Sequence, residues 1–412
     1  MVLATQNSTT MKRFAIVLSL IALFCVIDSR ASENSNVKVG NVLPAWSEGC
    51  LDIHFINSGK GECCFYILPD GTTLIVDAGE IIDSKKGVAP RPNGEIRPYV
   101  VYAKYIKHFL PQGAKAIDYC LPTHLHIDHV GSTKCATERS AADYALTGLL
   151  ALYDEVPYNH ILDRGYPSYD EDFFTPAVVG QIGKHWIRFV RWGVNENRFT
   201  AERFTPGKEQ IVLVNKPKQY KNFSILNVCA NGFVWGKTAN GEGMLIGGKA
   251  NRGGNPTSCG FHLSYGKFDY MACGDVSWTS QDLTAFYFRD YIGNDKLDAY
   301  KCNHHLAYNG WGKMMRLFNF DPQVVLNHSF ASNKPHPEPL EYILPRVKAF
   351  FATNIHPTIY EANKELIDKI TAYNGHIVLR VMPGGNEFYV YMLDDSNFEY
   401  KVKSVHGPYI SK

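Results

Sequence analysis

The sequence predicts an α/β protein in which helices cover the outer face of an apolar sheet, and three observations carry the prediction. The first half runs strand, strand, helix, strand. The last of these strands, Ala116 to Leu121, is mainly apolar and leads straight into a loop holding three histidines and an aspartate. Beyond a less regular middle, a second set of apolar strands follows, so two similar halves flank that loop.

Taken in order, residues 1–31 read as an export signal. Lys12 and Arg13 precede the uncharged apolar stretch Phe14 to Ile27, and Ser29-Arg-Ala31 puts small residues where a signal peptidase reads. The stretch is shorter than the roughly twenty residues that a bilayer span needs, and no other span is expected in the mature chain. Met11 offers an alternative start, and Cys25 lacks the small residue usual before a lipidated cysteine. Residues 32–49 form an N-terminal extension.

A single domain is then expected over 50–395. Ile53 to Ile56 and Cys63 to Leu68 alternate or run apolar, and the turn Pro69-Asp-Gly-Thr72 leads into a strand at Thr73 to Val76. Pro98, with Val101, Tyr105, Ile106 and Phe109 behind it, opens a helix that Pro111-Gln-Gly113 ends. Residues 153–209 break the periodicity with aromatic and charged runs such as His185-Trp-Ile-Arg-Phe-Val-Arg191. They read as a substrate-facing insertion or as an excursion packed on the sheet edge. The glycine-rich run Asn231 to Asn255 reads as a flexible loop without the residue order of a phosphate cradle. Strands resume at Ser258 to Tyr265, Phe268 to Cys273 and Leu297 to Lys301. An amphipathic helix around Glu361 to Tyr373 and closing strands at Ile377 to Val381 and Glu387 to Met392 complete the domain, with 396–412 an exposed tail.

The chemistry concentrates in Thr123-His-Leu-His-Ile-Asp-His-Val-Gly131. Imidazole nitrogens and a carboxylate oxygen hold zinc and similar divalent metals. A strand that ends in a short loop turns such side chains toward one point. The spacing suggests two adjacent metals, His124 and His126 on one, Asp128 and His129 on the other.

The string H-x-H-x-D-H after an apolar strand resembles the metallo-β-lactamase fold of metal-dependent hydrolases. Ile53 to Glu62 and Cys64 to Gly79 are similar to the opening hairpin of that fold. Asn255-Pro-Thr-Ser258, Cys273-Gly-Asp275 and Asn303-His304-His305 resemble the branch that includes the hydrolase domain of bacterial DNA-uptake competence proteins. The resemblance spans about residues 50 to 390 and implies a four-layer αβ/βα sandwich with metals at one edge between two sheets. It implies that Asp275 bridges the metals and that one of His304 and His305 binds the second. Lying nearer the strand end, His304 is the expected ligand, which leaves His305 to protonate a leaving group.

The resemblance also makes Asp77 an anchor that hydrogen-bonds the metal loop; a plain turn residue is expected in nearly the same place. The family's usual further histidine is missing, and Asn255 and Ser258 stand there instead, leaving one metal with a thinner protein shell. His336, in Ser332-Asn-Lys-Pro-His336-Pro-Glu, resembles a late loop whose histidine reaches substrate. His262 lies inside an apolar strand and reads as a core residue.

The implied cofactors are two divalent ions, zinc expected and manganese the alternative. The implied reaction is hydrolysis by a water shared between them, with Asp128 able to accept its proton. The competence branch tilts the substrate toward a phosphodiester, though esters, lactones and amides use the same machinery. A diiron oxidoreductase on this fold usually has Glu where this chain has His126. A non-catalytic exported binding protein with lost metal occupancy is the third reading.

With 412 residues and 45% hydrophobic composition, the chain can bury a large core. A formal charge of +2 gives no general footprint for nucleic acid or an anionic membrane, leaving a local basic groove open. Without Cys25, nine of the ten cysteines remain. The odd number, the scatter and the absence of C-x-x-C spacing argue against a disulfide framework or a cysteine zinc site.

Overall fold

The structure, a computed structural model, describes residues 37–82, 87–169, 176–248, 254–293 and 297–412, with backbone alone at 176–179 and 278–280. The expected export signal lies outside these residues. Among them, no helix is long and apolar enough to cross a membrane.

Two nine-stranded mixed sheets pack face to face. The first contains β1 (Leu51–Phe55), β2 (Cys64–Ile67), β3 (Thr73–Val76), β4 (Ile117–Leu121), β5 (Tyr158–Asp163) and β6 (Thr200–Arg203), closed by β16 (His376–Val381), β17 (Glu387–Leu393) and β18 (Val402–Ile410). Its order is β18-β17-β16-β1-β2-β3-β4-β5-β6. The second contains β7 (Phe223–Ala230), β8 (Phe233–Lys237), β9 (Gly243–Gly247), β10 (Gly260–Tyr265), β11 (Phe268–Ala272), β12 (Ala299–Lys301), β13 (Val324–Asn327), β14 (Ala349–Ala352) and β15 (Ala372–Tyr373), in the order β15-β14-β13-β12-β11-β10-β7-β8-β9.

Alternation explains the layering. Ile53, Tyr66 and Leu121 of the first sheet meet Phe261, Leu263 and Leu326 of the second in a shared inner core. The outer face of the first sheet is covered by α1 (Pro98–Phe109), α3 (Gly148–Glu155) and α4 (Pro176–Asn195); the single-turn α2 (Ile127–Val130) falls between α1 and α3 in the chain. The outer face of the second is covered by α5 (Trp278–Tyr287), α6 (Lys313–Leu317), α7 (Pro337–Ile343), α8 (Pro357–Ala362) and α9 (Lys364–Ile367). The result is the expected four-layer αβ/βα sandwich.

Each sheet changes from antiparallel to parallel pairing at one strand junction. In the first, β2–β3 is antiparallel and β3–β4 parallel, with α1 in the crossover. In the second, β10–β11 is antiparallel and β11–β12 parallel, with α5 in the crossover. Carboxyl ends of parallel strands at such a junction form a natural site, and the expected metal-binding residues follow β4, β11 and β12.

Several local expectations are corrected. Residues 153–209 supply β5, β6 and α4, whose Trp186 and Phe189 are buried in the outer core. The glycine-rich run contains the β8–β9 hairpin, because Val234 and Ile246 pair on either side of the Thr238–Glu242 turn. The helix expected around Glu361–Tyr373 is two short helices broken at Asn363, followed by β15. Residues 396–412 are no free tail: β18 pairs antiparallel with β17 as an edge strand. Among the described residues no cysteine forms a disulfide, and all are buried except the half-buried Cys135.

Candidate metal centre

β3 and β4 end side by side, Val76 opposite Leu121. Asp77 follows at φ 61, and both of its carboxylate oxygens turn to the next loop. Oδ1 accepts from the Thr123 backbone N–H at 2.7 Å, and Oδ2 accepts from the Thr123 hydroxyl and from His129 Nδ1, each at 2.8 Å. A carboxylate can only accept here, so the proton sits on His129 Nδ1 and the Nε2 lone pair faces the site.

The loop is held against the opening hairpin by direct backbone contact. Glu62 N–H donates to Asp128 O at 2.9 Å, and Gly79 N–H donates to Glu62 O at 2.8 Å. A Cβ on Gly79 would lie 1.8 Å from the Asp128 carbonyl oxygen, and one on Gly148 would lie 2.2 Å from the Val130 oxygen. Only glycine fits at these two approaches.

From the second sheet, β11 leads through Cys273-Gly274 to Asp275, and β12 leads to the 3-10 turn Asn303–Leu306. Their side chains meet the first group across the sheet edges. Asp275 Oδ2 lies 3.3 Å from His129 Nε2 and 3.2 Å from His305 Nε2. Asp128 Oδ2 lies 3.4 Å from His305 Nε2 and 3.9 Å from His129 Nε2. The ligating atoms of Glu62, His129, Asp275 and His305 all lie within 4.8 Å of one another, and all four residues are buried.

The electrostatics suit a cation. Burial pushes the His129 imidazole down, but Asp275, Asp77 and Asp128 more than reverse it and favour positive charge there. Burial raises the carboxyls of Asp128 and Asp275, yet the imidazoles of His129 and His305 hold both well below the usual carboxylate range. Burial, reinforced by His129 and His126, keeps His124 neutral. The buried atoms His124 Nε2, His129 Nε2, His305 Nε2 and Asp275 Oδ1 have no hydrogen-bond partner. Three of these residues, His129, His305 and Asp275, belong to the one cluster with Glu62, and their orphaned lone pairs there fit a divalent metal.

Of the paired histidines, His305 and not the expected His304 faces the carboxylates. His304, His305 and Leu306 all have positive φ (50–54°), so the backbone turns over between the two rings. His304 Nδ1–H donates to Asn309 Oδ1 at 2.8 Å, and its Nε2 accepts from Asn255 Nδ2 at 3.0 Å. With both nitrogens engaged, His304 has no lone pair to offer. His305 is the ring that faces the carboxylates.

The position expected at His124 and His126 is more open. The two rings lie 4.5 Å apart between centroids, and His124 Nδ1 contacts Thr123 Oγ1 at 3.1 Å and Ser258 Oγ at 3.3 Å. Ser258 Oγ also accepts from Asp275 N–H at 3.1 Å. Where the resemblance read from the sequence would place a further histidine, Gly254 approaches so closely that a Cβ on it would lie 2.6 Å from His126 Nε2. His336 stands apart from the cluster: its Nδ1 accepts from Glu338 N–H at the start of α7, and its ring lies 5.3 Å from that of Tyr308. His262 is half-buried and contacts Asp269 at 2.8 Å.

Glu62 and Lys301 were not singled out by the sequence reading. Glu62 Oε2 lies 3.3 Å from His305 Nδ1, and Oε1 pairs with Lys301 Nζ at 2.9 Å, both residues being buried. Unlike Asp77 at His129, Glu62 makes no hydrogen bond to its histidine; both of its oxygens and His305 Nδ1 lack a hydrogen-bond partner, and Glu62 stands within the cluster itself. The available signal was a charged residue at the end of each of two apolar stretches.

The sequence matches no family model and no curated protein. Among solved structures, the chain is similar to CmlA, a diiron β-hydroxylase from Streptomyces venezuelae, at 12% identity and a TM-score of 0.37. That match covers 82% of this chain and 55% of CmlA, so the chain spans about half the length of that protein. It is similar to the metallo-β-lactamase fold protein YhfI from Bacillus subtilis at 12% identity and a TM-score of 0.36, over 79% of this chain and 95% of that one. It is also similar to zinc-bound PqqB from Methylobacterium extorquens at 11% identity and a TM-score of 0.36, over 78% and 87% of the two chains.

Proposed function

We propose that this chain is a metal-dependent hydrolase whose principal metal position is formed by Asp128, His129, Asp275 and His305. The observation that carries the reading is the meeting of these side chains from both sheets, with imidazole nitrogens left orphaned toward the carboxylates. A second, weaker position uses His124, His126 and the free Asp275 Oδ1. A divalent cation held there supplies Lewis acidity, which makes water nucleophilic near neutral pH and stabilises charge on the attacked group.

The chain's own groups do the rest. Asp77 orients the ring of His129 by a hydrogen bond so that its Nε2 faces inward, and Glu62 sets a buried carboxylate 3.3 Å from His305 Nδ1. Asp128, the most exposed member of the set at 18% side-chain exposure, is placed to take a proton from water entering the site. His304, neutral with its value lowered to about 4 by burial, presents a hydrogen-bonded imidazole beside the cluster rather than within it. The preferred bond is a phosphodiester, on the strength of the Asn255-Pro-Thr-Ser258, Gly-Asp275 and His304-His305 pattern. We also propose export, supported by the basic, apolar and small-residue order of residues 12–31; N-terminal sequencing of protein recovered outside the cytoplasm tests it.

The test of the main reading is metal analysis of purified protein together with a panel of chromogenic phosphodiester, phosphomonoester, lactone and β-lactam substrates, with added zinc or manganese. Turnover of at least one substrate that is lost with chelator and restored by metal supports hydrolysis. Bound iron with visible absorbance and no hydrolysis points to the oxidoreductase reading. Absence of bound metal and of chelator-sensitive turnover overturns the proposal.

A further inference from the structure

Each sheet ends in two edge strands, and an edge strand presents backbone groups that another chain can pair with. Three of the four edges carry protection. β18 is bulged against β17 and holds Lys403 and Pro408, β6 holds Glu202 and Arg203, and β15 is only two residues long. β9, Gly243-Met-Leu-Ile-Gly247, has none of these devices. It contains no charge and no proline, and it pairs with β8 in an unbroken register. Met244 and Leu245 are 40% and 47% exposed.

The hairpin fixes which backbone groups of β9 face outward. At its turn Thr238 N–H donates to Glu242 O at 2.8 Å, so these two residues form a hydrogen-bonded pair. Hydrogen-bonded and non-hydrogen-bonded pairs alternate along an antiparallel ladder. Met244, opposite Gly236, and Ile246, opposite Val234, therefore turn their N–H and C=O toward β8. The tight Asn231-Gly232 turn, closed by Ala230 and Phe233, sets the same phase from the other end of β8. Gly243, Leu245 and Gly247 turn their groups away from β8, where no strand lies among the described residues.

That outward pattern complements itself. Turned about a two-fold axis through Leu245, a second β9 sets Leu245 opposite Leu245 and Gly243 opposite Gly247. Outward-facing residues then exchange hydrogen bonds only with one another. Met244 falls opposite Ile246 at the closer, non-hydrogen-bonded spacing, apolar against apolar. The glycines leave room beside the leucine pair on the other face. Glu242 meets Gly248 rather than another carboxylate. Any other antiparallel register of the same phase pairs fewer residues of this short strand.

We infer that β9 is a homodimerisation strand: a second copy of this chain pairs with it antiparallel about Leu245, joining the second sheets of both copies. One short strand pair buries little area, so the dimer is reversible, with a dissociation constant on the order of tens of micromolar. The inference requires no metal and is independent of the hydrolase reading.

The experiment is sedimentation equilibrium of the purified chain from about 1 µM to about 1 mM, with amide hydrogen exchange at both ends of that range. The mass is expected to rise from that of one chain toward that of two. At the high concentration the amides of Gly243, Leu245 and Gly247 exchange at least about tenfold more slowly, while those of Met244 and Ile246 keep their rates. Leu245→Lys and Leu245→Glu, at an exposed position, each abolish the rise in mass. Mixed in equal amounts, the two variants associate again, because opposite charges then face each other across the axis. A single-chain mass up to about 1 mM overturns the inference. So does a dimer that both substitutions leave intact, or a mixture of the variants that shows no recovery. Protection of the three outward amides at every concentration also overturns it, since the edge would then be covered within one chain. The exchange comparison uses the unsubstituted chain and stands whether or not the variants fold.

Discussion

The two proposed metal positions share one loop but are finished differently. The Asp128–His129 position draws Asp275 and His305 from the second sheet; Asp77 hydrogen-bonds the ring of His129 from behind, and the buried Glu62 carboxylate lies 3.3 Å from His305 Nδ1. The His124–His126 position receives no further imidazole, and the Gly254 backbone closes on His126 instead. The difference lies in the support rather than in the motif. A metal holds tightly where the ligand rings are oriented from behind, and weakly where they are free to turn. One equivalent of metal should therefore bind much more tightly than the second.

The severest way to break this contrast is Asp275→Ala, because that carboxylate reaches both positions. Turnover is expected to fall about 10³-fold or more and bound metal to drop below one equivalent, read by kinetics and elemental analysis. Next comes the histidine pair. His305→Ala should cost about 10²–10³-fold in turnover with loss of the tight metal, whereas His304→Ala should cost about tenfold with metal content intact. Equal losses would mean that the two rings share one role.

The backing carboxylates sharpen the comparison further. Asp77→Asn and Glu62→Gln should each weaken the tight metal by about 10–100-fold, seen in competition with a zinc chelator. Lys301→Met is expected to act on folding instead, by about 3–5 kcal/mol, because it leaves Glu62 charged and unpaired in the interior. His126→Ala should remove the weak metal and leave the tight one, lowering metal content by about one equivalent with a smaller loss of turnover.

The smallest effect contrasts His129, surrounded by carboxylates, with the equally buried His376, whose Nδ1 accepts from Asn57 N–H at 2.9 Å. Burial lowers His376 to about 3. Its unfolded value is near the ordinary 6.5, so between these limits the unfolded chain binds the extra proton. Stability should thus fall as pH drops from about 6.5 toward 3, by a few kcal/mol at most for this group. Denaturation midpoints measured across that window check the slope, and His376→Gln should flatten it.

Much of the centre was legible because it is local. His124 to His129 lie on consecutive positions after one strand, and Gly-Asp275 marks a strand end in the same way. The choice between His304 and His305 was not legible, since it depends on a left-handed backbone that reverses which neighbour faces inward. Glu62 with Lys301 becomes informative only when distant segments meet. Secondary structure failed where packing overrode composition. The β8–β9 hairpin is glycine-rich, and β18 carries the polar run Lys403, Ser404 and His406, so neither shows a strong strand pattern. Asn363 interrupts a helix whose apolar spacing looked continuous.

The tight backbone approaches at Gly79 and Gly148 will colour any attempt to map this protein by saturation mutagenesis. Both positions should tolerate no substitution, scoring as harshly as the histidines, although neither offers an atom to a metal or a substrate. A tolerance map alone would therefore enlarge the apparent reactive surface to include the scaffold that lets the loop sit so close. Only a screen that reads metal content beside activity can tell the grip from the frame.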